Sequence, residues 1–210
     1  MRKILIFLLV TGAVSVSAQQ TGFAEIKNVE QFKKDFATQN AKLNSIKSSF
    51  EQEKVLTLLT EKIVSKGEFW FKRNDKIRIE YKTPYTYLLI INGDQMITKD
   101  NQKESHVNTS SNKLFKQINR IIIDCVQGTI LNSKDFSAKV FQSQSQFQLQ
   151  LTPQTKSIKE FFQTITITLD KKDYSVSELE LLEPGGDTTR MRFSDKKLNL
   201  PIDDAVFTVR

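Results

Sequence analysis

The sequence predicts a mainly β domain: one long antiparallel sheet of about ten strands, dry on one face, with two helical segments to cover that face. Three observations carry the prediction. From Lys62 onward, apolar residues recur with a period of two through most of the chain. Turn chemistry separates the alternating runs, most clearly at Asn92-Gly93 and Pro184-Gly185-Gly186-Asp187. Only residues 29–46 and 112–131 switch to a helical period.

In chain order, residues 1–18 read as a cleaved secretory signal peptide. Arg2 and Lys3 form its basic start, Ile4 to Val10 its apolar run, and Val16-Ser17-Ala18 its small-residue cleavage site. Gln19 follows the cut, not cysteine, so no lipid-anchored N-terminus is expected. Residues 19–210 are expected to form a single soluble domain. Within it, Val29, Phe32, Phe36, Leu43 and Ile46 mark one face of an amphipathic helix, with Asn28 as N-cap and Gln31 three residues on. Phe50 then opens a long strand region.

Lys62 to Arg73 reads as one strand and Lys76 to Lys82 as the next, alternating Ile77, Ile79 and Tyr81 against charged residues. Tyr85 to Ile91 turns at Asn92-Gly93 into Gln95 to Thr98, followed by a weaker strand from Lys103 to Val107. Leu114, Ile118, Ile121, Ile122, Cys125 and Val126 fit a second helix with a break at Gly128. Alternation resumes at Phe136-Ala138-Val140, Phe147-Leu149-Leu151 and Ile165-Ile167-Leu169. Tyr174 to Leu182 is a strand, Met191 and Phe193 mark another, and a last strand carries Phe207 and Val209.

Composition removes most enzyme classes. His106 is the single histidine, so a histidine-based zinc site or a catalytic triad lacks parts. There is no GxSxG, no HExxH and no phosphate-cradling glycine loop, since Gly185-Gly186-Asp187 sits where a hairpin turn is needed. No enzymatic activity and no cofactor are expected. Cys125 is the only cysteine, so no intramolecular disulfide can form, and its isoleucine neighbours mark it as a small buried hydrophobe. The net charge of +7 falls to +5 once Arg2 and Lys3 are removed. Export argues against nucleic acid as a partner; solubility, or an anionic membrane surface, accounts for the basic balance.

The chain resembles the periplasmic outer-membrane lipoprotein carrier family (LolA). The resemblance runs from about Val29 to Phe207 and rests on an ordered set of short motifs. An amphipathic helix leads into Phe50-Glu51-Gln52, similar to the family's F-x-Q. Gly67-Glu68-Phe69-Trp70-Phe71-Lys72-Arg73 is like the family's G-x-[LF]-W-x-[KR]-R, although Asn74 stands where the family has proline. Pro84, Leu89-Ile90-Ile91-Asn92-Gly93, Gly186-Asp187-Thr188-Thr189, Met191, Phe193, Asn199, Ile202 and Phe207 follow in order.

The resemblance implies an incomplete, unclosed antiparallel β-barrel of about 10–11 strands beneath a helical lid. It implies a carrier that takes acylated lipoproteins from an inner-membrane lipoprotein-releasing transporter, shields their acyl chains in a cavity, and passes them to an outer-membrane acceptor. A monomer is expected. Strand parity nominates Phe69, Phe71, Ile77 and Ile79 as one part of the lining. Phe147, Leu149, Ile165, Ile167, Met191 and Phe193 make up the rest, each of which equally suits an ordinary core. Phe32, Phe36, Leu114, Ile118 and Ile121 belong to the lid helices.

Arg73 shares the parity of Phe69 and Phe71, an odd place for a charge. The resemblance gives it the role of a latch, donating to lid-helix carbonyls in the closed state. The other reading has it snorkel past Phe71 into water at a strand end. Three further functions compete. These are a same-fold carrier of another acylated lipid or glycolipid, an outer-membrane β-barrel, which the two helices oppose, and an adhesion module without a cavity.

Overall fold

The computed structural model describes residues 22–59, 61–108 and 113–209, with the side chains of all of these but 113–118 and 126. The signal peptide predicted for residues 1–18 lies outside the described residues, as do the side chains of Leu114 and Ile118.

The order of elements is β1 (Ala24–Glu25), α1 (Val29–Ala41), β2 (Ser45–Leu56), β3 (Glu61–Lys72), β4 (Lys76–Thr83), β5 (Tyr87–Asn92), β6 (Gln95–Lys99), β7 (Glu104–Asn108), α2 (Lys113–Gln127), β8 (Phe136–Gln142), β9 (Gln146–Pro153), α3 (Lys156–Lys159), β10 (Thr164–Asp170), β11 (Val176–Leu182) and β12 (Thr188–Leu198). Short 3₁₀ turns lie at Ile130–Asn132 and Asp204–Phe207. The strands form one 12-stranded sheet in the order β1-β8-β9-β10-β11-β12-β2-β3-β4-β5-β6-β7. Neighbours run antiparallel, and β1 and β7 stay unjoined, so the sheet curls without closing. The mainly β, unclosed-barrel architecture is the one the sequence predicts; β1 and the short α3 add to the predicted elements.

Most strand boundaries shift by one or two residues, and two larger differences from the sequence reading each have a physical reason. The first helix starts where predicted, with the Asn28 side chain accepting the Gln31 N–H at 3.0 Å. It ends at Ala41, not Ile46. Ser45 and Ile46 instead pair with Lys72 and Phe71, so a long-range ladder overrides local helical periodicity. Leu43 and Ile46 remain buried, but as part of the sheet side of the core.

The second difference lies at the C-terminus. The stretch predicted as a last strand through Phe207 and Val209 is the 3₁₀ turn Asp204–Phe207, laid across the outer face of β3–β5. It is tied down by Lys72, whose Nζ donates to the Ile202 carbonyl at 2.8 Å, and by Arg78, which donates to the Val206 carbonyl at 3.1 Å. Asp204 bridges Lys72 and Lys76 at 2.6 and 2.7 Å. Trp70, Ile90 and Phe207 are buried there as a separate small cluster. The outer face is therefore not uniformly wet. Elsewhere it carries exposed ion pairs such as Lys62–Glu53 and Lys66–Glu51.

Gly67 explains how the sheet bends over its own core. Its partner across β2–β3 is Phe50, whose ring crowds the place a Cβ would take, with Cζ 2.7 Å from it and the Glu80 carbonyl closer still. The β3–β4 register shifts at the same point, between Lys66 and Gly67.

Candidate functional site

The concave face holds two apolar clusters. One gathers Phe32 and Phe36 of α1 against Val140, Leu149, Leu151, Ile165, Ile167 and Leu169 of β8–β10. The other gathers Leu43, Ile46, Phe50, Phe69, Phe71, Ile77, Ile91, Met96 and Met191. Between them, under α2, lies a cavity of about 270 Å³. α2 roofs it with Ile121, Ile122 and Cys125, so this helix spans the gap that α1 leaves open. Phe162, in the loop before β10, closes one flank.

The sheet walls come from consecutive neighbours. Phe69 pairs with Ile79 across β3–β4. Ile165 pairs with Leu181, Ile167 with Leu179, and Leu179 with Met191 across β10–β11–β12. The Phe69 and Phe193 rings meet edge to face at 5.7 Å. Of the residues nominated from sequence, Phe69, Ile79, Ile165, Ile167, Met191 and Phe193 line the cavity, with Ile121 above them. Phe71, Ile77 and Leu149 share their parity but sit in solid packing, each at most 1 % exposed. Phe147 lies outside the cavity wall, 4.8 Å from the Phe32 ring. Phe32 and Phe36 likewise fill core beside the cavity.

Sequence reasoning passed over Leu179 and Leu181, although their alternation with Glu178 and Glu180 was a visible signal. It also passed over the polar lining, Ser48, Gln52, Tyr81, Ser175, Thr189 and Lys196. The Tyr81 hydroxyl donates to Gln52 Oε1 at 2.8 Å, and burial pushes its pKa up to about 12, so this end is neutral. Burial also pushes the Cys125 thiol well above its usual range, with Asp124 adding to the effect. Among the described residues, no cluster of ligands that could hold a metal is present, and no helix is long and apolar enough to cross a membrane.

Arg73 leaves the end of β3 and turns to the C-terminus of α1. Its Nε donates to the Leu43 carbonyl at 2.6 Å, and one terminal nitrogen donates to the Asn40 and Ala41 carbonyls at 2.8 and 2.7 Å. The Asn40 and Ala41 carbonyls belong to the last turn of α1, at its negative dipole end, and the Leu43 carbonyl lies just beyond it. The guanidinium fork satisfies several at once. α1 in turn meets α2 through Asn40, which packs against Gly128 just past the end of α2. Gly128 has φ 76°, and a Cβ there would meet Asn40 Nδ2 at 2.6 Å. Glycine is thus required both for the left-handed turn and for the contact.

No curated protein matches the sequence. Among solved structures, an uncharacterized conserved protein from Thermus thermophilus is similar in fold, at 9 % identity with a TM-score of 0.51, covering 85 % of this chain and 92 % of its own. A LolA superfamily protein from Nitrosomonas europaea aligns at 10 % identity and a TM-score of 0.45, over 84 % of this chain and 97 % of its own. The Mycobacterium tuberculosis lipoprotein LppX aligns at 11 % identity and a TM-score of 0.45, over 85 % and 99 %. The model of the family described as outer membrane lipoprotein carrier protein LolA matches residues 41–210, most of the sequence, and the chain belongs to that family.

Proposed function

We propose that the protein is a periplasmic carrier that shields lipoprotein acyl chains in the hollow beneath α2 and moves them from the inner to the outer membrane. The observation that supports this most is the apolar cavity between two solid clusters, roofed by one helix. Each buried CH₂ of an acyl chain gains about 0.8 kcal/mol, so a lipidated protein needs such a shelter to cross water. The cavity performs no chemistry; binding and release are its work. Its partners on this reading are a lipoprotein-releasing transporter at the inner membrane and an acceptor at the outer membrane. The signal peptide predicted at residues 1–18 supplies the route to the periplasm.

At about 270 Å³ the hollow lies just below the usual range of small-ligand pockets, about 300–1,000 Å³. One alkyl chain fits such a volume; several require α2 to lift. Arg73 is the latch of this motion on our reading. It fixes the end of α1, against which α2 rests at Asn40–Gly128. The small volume also favours a second reading, a same-fold carrier of another acylated lipid with fewer chains.

Lipid extraction and mass spectrometry of protein purified from its native periplasm separates the two. Co-purified lipoprotein is expected; free lipid alone supports the second reading, and an empty protein that takes up no fluorescent fatty acid overturns both. Arg73→Leu is expected to fold and to load lipoprotein but to hand on little of it. Normal delivery by that variant removes the latch.

A further inference from the structure

One charged side chain faces the cavity among the described residues, and a break in strand register puts it there. Along β12, Thr189, Met191 and Phe193 point inward by alternation. Strict continuation would turn Asp195 inward and Lys196 to water. Instead, Ser194 pairs with Ser49 and Lys197 with Lys47, so Asp195 and Lys196 together oppose the single residue Ser48. This is a β-bulge, and Asp195 takes a positive φ of 51° within it. The extra residue flips the phase, and Lys196 joins the cavity lining.

The surroundings are built for an anion. Lys196 Nζ donates to Ser175 Oγ at 2.6 Å, and Ser175 is 5 % exposed. Among the described residues no carboxylate lies within ion-pair distance of Lys196, in a protein whose other half-buried cations are mostly paired. Ser48, directly across the bulge, is 2 % exposed, and its Oγ has no hydrogen-bond partner. The Ser48 hydroxyl is left wanting a partner at the edge of an oily hollow, and the ammonium, held by one serine hydroxyl, has further protons to donate there. The opposite end, where Tyr81 donates to Gln52, is neutral and internally satisfied.

We propose that Lys196, Ser175 and Ser48 form a headgroup site for a single-chain anionic amphiphile, whose alkyl tail lies along Leu179, Met191 and Phe193 toward Tyr81. An ionised carboxylate or phosphate accepts without donating and takes charge-assisted bonds from the ammonium and the Ser48 hydroxyl. The site rests on the second carrier reading, another acylated lipid with fewer chains, and names a ligand chemistry for the same cavity.

The test uses the mature protein loaded with the neutral dye N-phenyl-1-naphthylamine, displaced at submicellar concentration by palmitic acid, methyl palmitate or hexadecyl phosphate. The acid is expected to bind about tenfold tighter than its ester. Lys196→Met should bring the acid and the ester to near-equal affinity, while Lys196→Arg retains the preference. A phosphate preferred over the acid, with the same dependence on Lys196, supports the anion site and assigns a phosphate headgroup to it. Equal binding of acid and ester to the wild type, or a preference that survives Lys196→Met, overturns the headgroup site and leaves the carrier reading standing. Displacement by none of the three overturns both. The wild-type comparison decides even where a variant fails to fold.

Discussion

Two parts of one concave face are built from the same alternation and end differently. Under α1, rings and branched chains meet: Phe32 lies 4.8 Å from Phe147 and 5.6 Å from Phe36, and Tyr174 completes the stack 5.2 Å from Phe147. Under α2, the sheet offers comparable side chains, Phe69, Leu179, Met191 and Phe193, and among the described residues of that helix Ile121, Ile122 and Cys125 meet them. These three described side chains are shorter than the rings that fill the core under α1, and a hollow is left beneath them. One cross-strand row makes the point: Val140, Leu149, Ile167, Leu179, Met191 and Gln52 are successive partners. Its first members are sealed in core and its last face the hollow. The strands decide which face is dry; the cover decides whether it is full.

The sharpest way to break this comparison is truncation on each side. Phe36→Ala, at a residue 1 % exposed, is expected to lose about 3–5 kcal/mol of unfolding free energy. Phe193→Ala, at a partly buried ring that already borders empty space, should lose about 1–2 kcal/mol. Urea denaturation of both variants measures the difference. Equal losses would mean that the two parts are packed alike.

The converse experiment adds volume. Leu149→Phe, in the filled part, should cost about 1–3 kcal/mol through overpacking. Met191→Phe should leave the denaturation midpoint unchanged and reduce uptake of a fluorescent fatty acid about tenfold, since the added ring occupies space the ligand needs. A Met191→Phe variant as destabilised as Leu149→Phe would show that the hollow is not open to filling.

The same comparison explains how far the sequence could be read. Period-two alternation, Asn92-Gly93 and the two helical windows were enough for one long antiparallel sheet with a helical cover, and the resemblance to the carrier family added that the barrel stays unclosed. Parity also found the inner face, which is why every nominated lining residue points toward one of the two concave clusters. It could not divide Phe69 from Phe71 or Ile167 from Leu149, because that division depends on a helix far away in sequence. Lys196 was hidden for a different reason. A bulge changes phase without any apolar signature, and Ser-Asp-Lys-Lys reads as solvent on either phase. Trp70 reversed the usual reading of an outward residue, because a segment more than 130 residues later in the chain folds back over it.

Cys125 makes the roof measurable. Its thiol is held protonated by burial, and the thiolate is the reactive species. Alkylation at pH 8 is expected to run more than about tenfold slower than in urea-unfolded protein, where the pKa returns to about 8.5. Occupying the hollow with a fatty acid should change that rate, because the residue lines the space the tail would enter. A rate equal to that of unfolded chain would place Cys125 in open solvent and remove α2 as a cover.

The smallest expected effect tests the outer face against the inner one, with Trp70 as the only tryptophan. Its ring is covered by Phe207 and flanked by Lys47 and Arg78, 5.4 and 5.5 Å from its centre. Fatty acid entering the hollow should therefore shift Trp70 emission less than it shifts that of a Phe69→Trp reporter carrying Trp70→Phe. Asp204 is one of the ties that hold this cover, and hydrogen bonds from Lys72 and Lys76 lower its pKa from 3.8 to about 2. A carboxyl depressed on folding stabilises the folded form fully above its unfolded pKa and loses that contribution as pH falls through the folded value. Trp70 emission should accordingly move toward the red between about pH 4 and pH 2, without the far-ultraviolet dichroism of the sheet changing. Asp204→Asn should remove this step and give slightly red-shifted emission already at neutral pH. An unchanged acid step in that variant would assign the cover to Phe207 packing and to the Arg78–Val206 bond in place of the Asp204 bridge.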